Sequence, residues 1–433
     1  MPRSLSPRDL SPIISGLGAA NERFARAYPG ESSARQPVHT YYLGAHLFEP
    51  GLVATLGATA LAALNEYAPT ARALARALGF EDASLAETIR ARVVAKLKRE
   101  PIEDLHLDFE DGYGARPDSE EDGHAQSTAE LIARGMADRT LPPFVGIRVK
   151  SLSNELHQRS LRTIDMFVTM LVTVAKGRLP DNFAIVIPKV TTPAHVTAVV
   201  KACAALERKL KLQSGSLRLD LMIETPQSIL APDGSCALRA LVAAGQGRIR
   251  TAHFGIYDYT ALSGITASRQ HLRHPVCDFA RHMMKVALAQ SGVMLSDGSS
   301  HLLPVPPRVH EAWKIHFDDV THSLVNGYYQ GWDLHPAQLP TRYAAVYAFY
   351  LSARPAATVR MKSFFDKATK AGAAFDDAAT GQALLNFFAR ALSSGAITLD
   401  EAMQTGLTES DLKGGSFLKV LAGITSRESR TTS

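Results

Sequence analysis

Eight short β-rich runs recur along this chain, each ending on a polar residue, and their spacing limits the fold more than any other feature. They are HTYYLG, ending near His46; LHLDFED, ending at Glu110 and Asp111; FVGIRV, with Arg148 inside its end; FAIVIPK, ending at Lys189; LRLDLMIE, at Glu224; TAHFGIYD, at Asp258; GVMLSD, at Asp297; and GYYQGWDLHP, at His335. After a first gap of 64 residues, successive ends lie 34 to 41 residues apart. That interval holds one strand and one crossover helix, and helical pattern fills it. Alternating β and α segments predict a parallel sheet. Eight such units predict an α/β fold of the closed (β/α)8 TIM-barrel type. The alternative, an open doubly wound sheet, lacks its glycine-rich nucleotide turn, since GLGAAN at Gly16 to Asn21 precedes any strand.

Three segments follow from this pattern: an N-terminal extension over 1–35, a barrel catalytic domain over 36–340, and a C-terminal helical region over 341–433 with a disordered tail, SRESRTTS. The C-terminal region reads as three or four amphipathic helices separated by Gly and Pro. The 433 residues, 46% apolar, suffice for one large domain with an appendage. Net charge is +5, yet no Lys/Arg cluster stands out, which speaks against nucleic acid and suits a small anionic substrate. Cys203, Cys236 and Cys277 form no CxxC pair, the usage expected of a reducing cytoplasm. No apolar h-region follows Met1, and the longest apolar stretch, Leu52 to Leu64, is short of the roughly 20 residues that span a bilayer. A cytoplasmic protein without a membrane partner is expected.

In such a barrel the strand C-termini converge on one mouth, where active sites lie. Four or five carboxylates would there face two cations and one or two histidines. Glu224 and Asp258 end adjacent strands, so both could reach one ion. With no Cys and no HExxH pattern nearby, the pair suits a hard ion, Mg²⁺ or Mn²⁺; otherwise they are loop carboxylates that cap helices or face water. In DFEDGYG, Asp108 and Glu110 fall on one face of the strand. Arg148 at the end of an apolar strand suits bidentate recognition of a carboxylate, whether on a substrate or in the acidic cluster. Lys189 is open between a Schiff-base lysine and a partner for Glu224.

Six motifs in order then resemble the HpcH/HpaI aldolase and citrate lyase beta-subunit family, which includes malyl-CoA lyases: LDFEDGYG, IRVKS, IPKV, LMIETPQSI, FGIYDYTA and GYYQGWDLHPAQLP. The resemblance spans roughly 39 to 340. It implies a barrel of the phosphoenolpyruvate/pyruvate-binding type, with Mg²⁺ (or Mn²⁺) on Glu224 and Asp258. It implies catalytic roles for Arg148, beside the metal, and for Glu110 and Asp111, which would orient metal-bound water. Arg148, Lys189 and His46 are the substrate-binding candidates. The implied reaction is reversible carbon–carbon cleavage of a small keto or hydroxy acid through a metal-stabilised enolate. An acyl-CoA lyase or malate-synthase-like Claisen enzyme is the alternative, and a non-catalytic binding protein on the same barrel a second one. Two departures stand out. Lys150 replaces an asparagine, and Trp332 stands where a basic residue helps hold CoA, which weighs against a CoA thioester. His46 and Asp297 are candidates for the general base; a neighbouring subunit or a metal-bound hydroxide could also supply it. A homo-oligomer is the expected assembly, with residues 341–425 acting as a lid over a neighbouring site.

Overall fold

The computed structural model describes residues 4–371 and 378–423, apart from Ser33 and Glu81. The tail from 426 onward lies outside the described residues. Eight strands form one parallel sheet: β1 (His39–Gly44), β2 (Asp104–Asp108), β3 (Phe144–Arg148), β4 (Phe183–Ile187), β5 (Arg218–Ile223), β6 (Ile249–Phe254), β7 (Met294–Ser296) and β8 (Gly331–Asp333). From β1 to β7 each strand pairs with the next, and β8 returns to β1 with His39 opposite Gly331. The remaining gap, between β7 and β8, is bridged from Ser296 to Gln330, just before β8. The result is a nearly closed (β/α)8 barrel, as the strand period predicts.

Alternation sorts each strand's side chains. Leu105, Leu107, Ile147, Ile185, Leu219, Leu221 and Phe254 join the core beneath the surrounding helices. The opposite positions face the lumen, where Tyr42, Val186, Met222 and Trp332 form a small second cluster. This lumen is unusually polar. His106 and Asp104 meet at 3.1 Å, Arg250 and Asp220 at 2.5 Å, and the Trp332 indole on β8 donates across the barrel to His253 Nδ1 on β6 at 3.3 Å. Trp332 is therefore a packing residue of the lumen, buried with Tyr42.

The helix that follows β8 runs from Leu339 to Ala371, without a break at 340. It packs between the helices Val309–Val325 and Ala83–Arg99, completing the outer ring. Tyr343, Tyr347 and Tyr350 on it are buried, and its Arg342 holds Asp333 of β8 at 2.9 Å. The helix Ala378–Ser393 packs on its outer side. This appendage lies near the closed end of the barrel, opposite the mouth. Arg390 stacks on Tyr329, two residues ahead of β8, and the Tyr343 hydroxyl donates to the Pro101 carbonyl ahead of β2. Among the described residues no helix is long and apolar enough to cross a membrane.

Candidate active site

The mouth is organised by Asp108, the last residue of β2. It lies directly opposite Arg148, the last residue of β3. Arg148 donates to it through Nε at 2.7 Å and Nη2 at 2.5 Å. Asp108 also accepts from the backbone N–H of Glu110 at 3.0 Å and of Gly112 at 2.6 Å, so one buried carboxylate shapes the whole DFEDGYG turn. Any side chain at Gly112 would collide with Asp108 Oδ2, since a Cβ there would lie 2.7 Å away. Burial works to raise the Asp108 pKa, but Arg148 and these N–H donors outweigh it and hold the group below its ordinary value. The Arg148 guanidinium rests 4.9 Å from the Tyr42 ring centre. Its remaining nitrogen, Nη1, lies 3.3 Å from Glu110 Oε2 and 3.9 Å from Asp111.

Lys189 is the hub of the remaining acids. Its ammonium is ion-paired with Glu110, and lies 3.3 Å from Asp111 and 3.2 Å from Asp258. Its backbone is left-handed, with φ of +48°, costing roughly 1–2 kcal/mol for a residue with a side chain. In that conformation its N–H reaches Glu224 Oε1 at 2.6 Å. Burial works to lower the Lys189 pKa, but Glu224 and Glu110 prevail and raise it. Glu224 follows β5, where Thr225 caps the turn Pro226–Ile229 and stops the strand. The backbone of Gly255, at the end of β6, presses against it so closely that an added Cβ would lie 2.5 Å from Glu224 Oε2. Burial pushes the Glu224 carboxyl up to about 8, with Glu110 and Asp258 adding to the rise and Lys189 opposing it. Burial likewise raises Glu110, against Arg148 and Lys189. Glu110 Oε2 accepts no hydrogen bond.

The structure thus brings together Glu110, Asp111, Arg148, Lys189, Glu224 and Asp258. His46 stands apart, in the short turn Ala45–Leu47. Its ring meets Tyr113 and His124, with centroids at 5.4 and 6.2 Å, and Tyr113 in turn bonds His124 Nδ1 at 2.7 Å. Asp297 and His335 are structural. Asp297 is fully buried against Arg281 at 3.1 Å and accepts from Ser323, while His335 Nδ1 caps the turn Pro336–Gln338. Lys150 donates to the Phe109 carbonyl at 2.6 Å and pairs with Glu121, bracing the DFEDGYG turn from outside. Asp108 and Tyr42 emerge as residues of the site; the alternation of Asp108 with Glu110 was the signal for the first. Among the described residues, no group of three or more His, Cys, Asp or Glu is already gathered as a metal shell.

Fold and mouth together define the class: a (β/α)8 barrel with a carboxylate-rich mouth holding two cations. The chain belongs to the family described as a domain of unknown function (DUF6986), whose model matches residues 17–420. No curated protein matches it. Among solved structures it is similar to a citrate lyase from Burkholderia xenovorans LB400, at 18% identity over 88% of this chain and 100% of that one, with a TM-score of 0.54. It is also similar to the malate synthase of Haloferax volcanii in its magnesium/glyoxylate complex, at 15% identity over 71% and 74% of the two chains, with a TM-score of 0.46. The first of these supports the barrel fold.

Proposed function

We propose that the protein is a divalent-metal-dependent carbon–carbon lyase of the aldolase type, acting on a small keto or hydroxy acid and related to the HpcH/HpaI and citrate lyase beta-subunit enzymes. The observation that carries this reading is the charge balance of the mouth. Asp108 takes up two nitrogens of Arg148, so Glu110, Asp111 and Asp258 share the ammonium of Lys189, with only the Nη1 arm of Arg148 beside Glu110 and Asp111, and Glu224 is met by the Lys189 backbone N–H. Burial, with Glu110 and Asp258 close by, pushes Glu224 up, and Glu110 Oε2 accepts no hydrogen bond, so both carboxyls have room for a further cation. An all-oxygen donor set fits a hard cation such as Mg²⁺ or Mn²⁺. Glu224 and Asp258 would hold it, and when bound it supplies Lewis-acid charge to the substrate oxygens.

The chain's own groups have separable tasks. Nη1 is the arm of Arg148 left over by Asp108, and it is aimed to hold a substrate carboxylate or to stabilise negative charge developing on an enolate oxygen. Glu110 Oε2 is available to accept a proton or to orient a water. Lys189 is kept protonated by its carboxylates, whereas a Schiff base needs the neutral amine, so it acts here as a hydrogen-bond donor. The lumen position of Trp332 leaves CoA without the basic group that would hold it there, which favours a substrate free of CoA. Pyruvate release from oxaloacetate or a 4-hydroxy-2-keto acid is expected with Mg²⁺ or Mn²⁺. EDTA should abolish it, and Glu224→Gln should reduce kcat/KM by on the order of 100-fold or more. Turnover that survives both treatments would sink the metal-enolate reading.

A further inference from the structure

The helix Pro7–Ala27 has no buried residue. Its foot is fixed at the closed end of the barrel. Arg239 stacks on Tyr28 at 4.5 Å, the Gly30 N–H donates to the Gln290 carbonyl at 3.0 Å, and Glu31 pairs with Arg390 at 2.6 Å. The helix itself presents a continuous apolar stripe. Leu10, Leu17 and Phe24 recur every seven residues, with Ile13, Ile14 and Ala20 between them. Ile13, Ile14, Leu17 and Phe24 are each at least 60% exposed. Pro12, Gly16 and Gly18 lower its intrinsic helicity, and an isolated helix of this length is marginal in water even with good formers. Its Ser6–Asp9 capping box helps only the first turn.

We infer that this helix is a self-association element, pairing antiparallel with the same helix of a second copy. Its charges select that occupant. The polar side carries both signs, Arg8, Asp9, Glu22, Arg23 and Arg26, unlike the Lys/Arg-rich face that suits an anionic lipid surface. Asp9, Gly16 and Arg23 run along one edge of the stripe, each one residue ahead of Leu10, Leu17 and Phe24. With Leu17 on the two-fold axis, Leu10 meets Phe24, and Asp9 of each copy lies along the edge that carries Arg23 of the other, at both ends. Gly16 on the same edge lets the backbones approach near the axis. A parallel pair would instead set that edge against Ile14 and Asn21 and leave both charges unmatched.

The test is sedimentation of the full-length protein across a concentration series, with Leu17→Asp beside it. The helix carries no core residue, so the variant is expected to keep its circular dichroism and melting temperature while its mass falls twofold. Under oxidation Leu17→Cys is expected to cross-link between copies. Leu10→Cys is not, since its two positions would lie about 21 Å apart, fourteen residues of helical rise. Cross-linking at both positions would overturn the antiparallel arrangement. A wild type that stays monomeric, or an oligomer that Leu17→Asp leaves unchanged, would overturn the proposal. So would a monomer that co-sediments with phosphatidylglycerol vesicles through Leu17.

Discussion

Asp108 engages two of the three nitrogens of Arg148, so the bidentate carboxylate expected opposite this arginine comes from the chain itself. The sequence marks the type of partner, because an arginine closing an apolar strand needs one. It does not mark the identity, which rests on the β2–β3 register that sets position 108 against 148 across forty residues. Lys189 was harder to read, because its reach depends on a left-handed backbone that no residue type advertises at a lysine. Removing one partner of a buried ion pair strands the other charge and costs about 3–5 kcal/mol. Asp108→Asn should therefore lower the unfolding free energy by about 3 kcal/mol in a urea titration, with the N–H contacts to the turn partly retained. It should also release Arg148 and loosen the DFEDGYG turn, so kcat should fall more than stability alone explains. Full activity in a folded Asp108→Asn protein would show that Arg148 needs no clamp.

At the scale of elements, the eight strands were legible because each is a short β-rich run closed by a polar residue, even where polar lumen positions alternate with apolar ones, as in DLHLD of β2. The helix after β8 was less so. Its pattern, TRYAAVYAFYLSA, looks like the start of a separate helical region, yet Tyr343, Tyr347 and Tyr350 seal the outer ring of the barrel. Amphipathic periodicity reports that a face is buried, not what covers it. A protein ending at residue 340 would thus lack the eighth outer helix and the Arg342 partner of Asp333. It is expected to be insoluble or to lose cooperative unfolding by circular dichroism. A soluble product with a sharp melt would show that the barrel closes without the helix from Leu339.

For the molecule as a whole, the buried polar lumen should set the response to acid. Burial opposes ionisation of Asp220 and Asp333. Arg250 and His253 outweigh it at the first, and Arg342 and His316 at the second, so both stay below their ordinary values. Groups with depressed carboxyl pKa values stabilise the fold above the unfolded value near 3.9, and that contribution is lost as pH falls through the folded one. Burial also lowers His39 and His253. The unfolded chain then binds protons below about pH 6.5 that the folded one refuses, so their loss begins first. Glu224, raised from 4.5 to about 8, works in the opposite sense over that interval. In metal-free Glu224→Gln, which leaves only the raised Glu110 acting in that opposite sense, the urea midpoint should begin to decline below about pH 6.5 and drop steeply below about 4. A midpoint unchanged down to pH 4 would show that the histidines are not held neutral.

The ring of strands is not uniformly sewn. Seven junctions are ladders, but the eighth has one bridge, from Ser296 to Gln330, with the Asp297 N–H on the Gln330 carbonyl and the Trp332 N–H on the Gly298 carbonyl, and its two strands have three residues each. Side chains supplement it, with Gln36 donating to the Leu295 carbonyl and to Gln330. A hoop parts at its thinnest stitch. Hydrogen–deuterium exchange should find the amides of 294–298 and 330–333 opening well before those of β3 to β5, so that fluctuations of the barrel begin as an unclasping between Asp297 and Trp332.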